Sequence, residues 1–83
     1  MNIKDIKKGD EFYEYAYGFT VKARANEDAR IVKNQPNRAD GWEVEATVIG
    51  GQGLVGEKTY FYSSNIGSAY ASDLQLIKKG AEQ

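Results

Sequence analysis

Gly41-Trp42-Glu43-Val44-Glu45-Ala46-Thr47-Val48-Ile49 is the stretch that decides the fold. Two-residue alternation puts Trp42, Val44, Ala46 and Val48 on one side and Glu43, Glu45 and Thr47 on the other. That is the pattern of a strand with one buried face. Residues 33–41, just before it, hold Asn34, Pro36, Asn37, Asp40 and Gly41, which favour turns for backbone reasons. Earlier still, residues 19–32 read as one long strand with Phe19, Val21, Ala23 and Ala25 inward. Glu27-Asp28 interrupts the alternation, which predicts a bulge or bend there, and Ala29 and Ile31 resume it. Pairing Ile31 with Trp42 puts Arg30 opposite Glu43, Ala29 opposite Val44 and Ala25 opposite Val48. One register then serves both the core and the charges.

The remaining segments extend the same pattern. Gly9-Asp10 is a turn into a strand over 11–17, with Phe12, Glu14 and Ala16 on one face and Tyr13, Tyr15 and Tyr17 on the other. Gly18 breaks it. Residues 50–56 form a glycine-rich loop, and 58–63 a strand with Tyr60 and Tyr62 opposite Thr59 and Phe61. Residues 64–71 leave room for at most one short 3-10 turn. Residues 74–77 make a closing strand, and 79–83 a tail expected to fray. No segment sustains helical periodicity. The expected fold is one all-β domain over 1–83, a small five-stranded antiparallel barrel.

Composition removes whole classes of chemistry. The 83 residues include neither cysteine nor histidine, so disulfide scaffolds, thiol catalysis, imidazole bases and the usual zinc sites are excluded. No apolar run is long enough to span a membrane. The N-terminus, with charges in place of an apolar core segment, predicts no signal peptide and a cytoplasmic protein. The net charge of −1 is segmented: residues 1–9 and 22–38 are basic, 10–17 and 40–57 acidic. Alternating blocks suit antiparallel strands that pair opposite charges on their outer faces.

Several pieces resemble SH3-like small barrels. Lys8-Gly9-Asp10-Glu11-Phe12 looks like the entry to the first strand of such a barrel, and Gly41-Trp42-Glu43-Val44-Glu45-Ala46 like its central strand. Gly53-Leu54-Val55 resembles the following turn, and Asp73-Leu74-Gln75-Leu76-Ile77 the closing strand. The resemblance implies a binding module rather than an enzyme. A single Trp and the missing acidic loop before it depart from the proline-peptide readers of that superfamily. A short, Tyr-rich chain without Cys or His also looks like accessory proteins of bacteriophages or prophages, which implies action on a host protein.

Other motifs resolve to plain structure. Gly51-Gln52-Gly53-Leu54-Val55-Gly56 spells a dinucleotide fingerprint, but a strand rather than a helix follows it. Glu57 intrudes between Gly56 and Lys58 where a phosphate loop needs its lysine. Asp10, Glu11 and Glu14 lack cation-loop spacing, so no metal or other cofactor is expected. The positive signal is aromatic. Ten aromatic residues exceed what so short a chain can bury. The expectation is a non-enzymatic module that binds a protein partner or a second copy of itself. Its Tyr/Trp-rich acidic face comprises Tyr13, Tyr15, Tyr17, Trp42, Tyr60, Tyr62 and Glu14. The alternative is a single-stranded nucleic-acid binder using a stripe of Lys22, Arg24, Arg30 and Lys33.

Overall fold

The alternating stretch folds into the longest strand of an antiparallel sheet that curls into a half-barrel. The computed structural model describes residues 2–16, 19–63 and 74–80, with the backbone alone at 16 and 19. Its strands are β1 (Glu11–Ala16), β2 (Phe19–Ala25), β3 (Arg30–Val32), β4 (Gly41–Gly51), β5 (Lys58–Ser63) and β6 (Leu74–Lys78). One edge of β4 carries β2 and β3, and the other carries β5. From β2 the sheet continues through β1 to β6, every pairing antiparallel. Calls that involve Tyr17, Gly18, the 64–71 segment and residues 81–83 lie outside the described residues.

The all-β fold class is as expected, with one change in strand count. The long strand over 19–32 divides into β2 and β3, which makes six strands among the described residues. Ile31 pairs with Trp42 and Arg30 with Glu43, as the sequence predicts. Beyond the interruption the register slips by two: Ala25 lies opposite Ala46 rather than Val48, and Val48 opposite Ala23. Ala29 falls in the bulge and not opposite Val44 in the ladder. Four residues, 26–29, span the gap that 44–45 cross on β4. The bulge is held by its own hydrogen bonds. The Asn26 N–H donates to the Glu45 carbonyl at 2.9 Å, and the Ala29 N–H to Ile6 O at 3.0 Å. The Asn26 side chain also donates to Glu45 Oε2 and accepts from Thr47 Oγ1.

The core lies on the concave side. Phe12, Ala23, Ala25, Val44, Ala46, Phe61 and Leu74 are buried there, and Phe12 meets Phe61 edge-on at 5.0 Å. The sequence reading missed two members. Ile3, in a single 3-10 turn (Ile3–Asp5), and Ile6 are fully covered and plug the end of the barrel.

Asp10 is also fully buried. Its Oδ1 accepts from the Gly80 N–H at 3.0 Å, and its Oδ2 from the Lys7 N–H at 2.9 Å and from Lys79 Nζ at 2.8 Å. Burial pushes this carboxyl up, but Lys79 and the two backbone N–H donors more than offset it. The net result is a value below the usual aspartate range. Lys79 and Gly80, expected in a fraying tail, are therefore anchored. A Cβ at Gly80 would stand 2.1 Å from the Gly9 carbonyl carbon, so the two backbones approach as only glycine permits.

Candidate functional site

Among the described residues the tyrosines do not form one patch. On the convex face Tyr13 lies between Lys22 on β2 and Gln75 on β6, and Tyr15 lies opposite Thr20. Tyr60 and Tyr62 stand on β5 opposite Glu45 and Glu43. β2 and β4 separate the two groups. At ordinary strand spacing that is on the order of 14 Å, three strand intervals. Trp42 is on the opposite side of the sheet, half-buried against the core, so it does not join them. Tyr15 and Tyr60 are 56% and 54% exposed.

The acidic character of the β5 group is mostly neutralised. Glu43, expected on a solvated face, is only 4% exposed. Arg30 Nη2 and Arg38 Nη1 each reach it at 2.7 Å, one on each carboxylate oxygen. Arg38 comes from the turn-rich 33–40 segment, which folds back so that its guanidinium lies 4.9 Å above the Tyr62 ring. The Tyr62 hydroxyl donates to the Ala39 carbonyl and fastens the loop. Burial raises the Glu43 carboxyl, and the two arginines overcome it, leaving the value lowered. Glu45 accepts from the Tyr60 hydroxyl at 3.2 Å and from Asn26, with Lys58 at 3.7 Å. Replacing Glu43 with alanine is expected to cost about 2 kcal/mol. That is below a fully buried pair because both arginines keep solvent contact. Urea unfolding checks the size, and proteolysis in the 33–40 loop should quicken in the same variant.

The basic stripe is divided too. Arg30 is neutralised by Glu43 and Glu27, and Lys33 follows β3 on the far side of the bulge. Lys22 and Arg24 sit instead beside β1. Arg24 pairs with Glu11 at 3.1 Å, and both line a depression with Lys8, Lys78, Gly9 and Gly80.

Glu14 stands elsewhere. It lines a cleft of about 320 Å³ at the open end of the half-barrel, with Val21, Val48, Leu54, Phe61 and Tyr62. Asp10, Glu11 and Glu14 are thus occupied in three different places. Among the described residues no group of three or more acidic side chains is placed to hold a metal ion. Nor is any helix there long and apolar enough to cross a membrane.

The cleft was not legible in the sequence. It is formed by the glycine-rich hairpin bending over β2. Gly51, at φ +78°, lies so close to Thr20 that a Cβ would sit 2.5 Å from the Thr20 carbonyl oxygen. Gln52 ties the same spot twice, its N–H to Thr20 O at 2.7 Å and its side-chain oxygen accepting from the Thr20 N–H at 2.7 Å. The next apolar residues, Leu54 and Val55, are 74% and 72% exposed at the tip. No family model matches the chain, and no match is found among curated proteins or solved structures.

Proposed function

We propose that this chain is a non-enzymatic binding module that takes an extended segment of a protein partner beside the β4–β5 hairpin. The observation that carries the reading is the open cleft with Val21, Val48 and Phe61 in its lining beside the polar Glu14, Glu57, Lys58 and Thr59, together with Leu54, which also lines it, and the neighbouring Val55, both exposed. Adjacent exposed aliphatic side chains lose hydration favourably when a partner covers them. The edge of β5 turned away from β4 carries no strand among the described residues. An added strand there would satisfy backbone groups while one of its side chains entered the cleft. Among the described residues the first and last strands, β1 and β6, pair with each other.

The test is selection from a random peptide library with the intact protein as bait. Selected peptides should be apolar and extended. They should shift the amide resonances of Val48, Phe61 and the rest of β5, and bind a Leu54→Ser/Val55→Ser variant at least about tenfold more weakly, about 1.4 kcal/mol. Failure to select peptides, equal binding to the variant, or shifts confined to other strands would each overturn the proposal. Both positions are exposed, so the variant's stability should stay within about 0.5 kcal/mol.

A further inference from the structure

The convex face of β2, β1 and β6 has a different chemistry from the cleft. β1 presents Glu11, Tyr13 and Tyr15 in a column. Lys22 and Arg24 flank it on β2, Gln75 and Lys78 on β6, and Lys8 stands at the lower end. Four cations therefore surround two tyrosines. Among the described residues, the carboxylates in contact with them are Glu11, on Arg24, and Asp28, which accepts from the Lys8 backbone N–H at 2.9 Å. The chain as a whole is slightly acidic. Much of its acid lies on β4 and the loops beside it, so this face is basic by segregation.

We propose that this face binds single-stranded nucleic acid. Alternate residues on one strand stand about 6.6 Å apart, so Tyr13 and Tyr15 offer two successive ring surfaces. Each can stack one unpaired base, while the lysines and Arg24 on both flanks supply positive charge for the phosphates. An acidic peptide would use the cations and leave the rings without a matching planar group. A duplex would present phosphates and hide its base faces. The cleft is on the other side of the sheet, so this inference does not depend on the protein-binding reading.

Anisotropy of fluorescein-labelled oligo(dT) at low salt is the test. Binding is expected, and with two or three phosphates engaged the affinity should fall about sevenfold to twentyfold on a fourfold rise in salt. Lys22→Glu/Lys78→Glu should weaken binding at least tenfold, a loss set against the salt slope of about −2. Tyr15→Ser, at an exposed position, should weaken it about fivefold or more, the loss of one stacked base, while leaving the salt slope unchanged. Lys33→Gln, distant from the face, should leave binding as it was. Four results would overturn the proposal: no binding at low salt, undiminished binding by Tyr15→Ser, equal loss on Lys33→Gln, or heparin bound as tightly as oligo(dT). The last two would indicate simple polyanion attraction.

Discussion

Phe12→Ala should cost about 4 kcal/mol and sharply lower the urea concentration at which the protein unfolds. Phe12 is wholly enclosed and meets Phe61 edge-on across the core. Three residues of the same core, Ala23, Ala25 and Ala46, carry only a methyl group and can do little to fill the gap. A domain of this size has about 4–12 kcal/mol in total, so the loss is a third or more of the whole. Phe12→Leu should cost about 1.5 kcal/mol, since most of the volume is kept. Tyr60→Ser, at an exposed position, should cost under about 1 kcal/mol. Urea titration of the three variants gives the order. A Phe12→Ala loss below that of Tyr60→Ser would show that the core is not centred where the structure has it.

The second large effect is at Asp10. Alanine there strands the Lys7 and Gly80 N–H groups and releases Lys79, at a cost of about 3 kcal/mol. Asparagine is no rescue, because its NH2 group would face the Lys7 N–H and Lys79 on the Oδ2 side. The pH dependence has a definite sign. The folded carboxyl lies below its unfolded value of about 3.9, so its contribution is complete above that pH. It disappears as pH falls through the lowered folded value. Glu43 acts in the same direction. Wild-type stability should therefore drop below about pH 4, and Asp10→Asn should flatten that slope in part. An unchanged acid profile in the variant would rule out this role for Asp10. Lys79→Ala should cost less, about 0.5–1 kcal/mol, because its side chain is partly solvated.

What the sequence made legible was whatever two independent patterns specified together. Ile31 with Trp42 and Arg30 with Glu43 satisfied apolar and charge pairing at once, and that pairing is present. Glu27-Asp28 marked the bulge, but local alternation carries no record of how many residues a bulge absorbs, so the two-residue slip to Ala25–Ala46 was hidden. Ile3 and Ile6 sat among lysines, and their three-residue spacing was the only sign that one side of that segment is apolar. The Asp10 partners at 79 and 80 are far away along the chain, beyond any local pattern. The candidate surface was legible in kind and not in arrangement. Surplus tyrosines were countable, but only the β1–β2 and β4–β5 registers show that they form two groups, one with lysines and one with glutamates.

The Asp10 clasp also sets an order of events during synthesis. The β1–β2 and β4–β5 hairpins join segments close in the chain and can form early. The β1–β6 pairing and the contacts of Asp10 with Lys79 and Gly80 bridge about seventy residues, the slowest kind of closure. Until residue 80 has left the ribosome, β1 keeps an open edge and Asp10 lacks two of its three donors. A chain folding in that order passes through a stage in which most of its described strands are paired while the edge that β6 will cover is still bare. That interval exposes it to strand-to-strand association with its neighbours. The closing strand protects the molecule as much as it stabilises it.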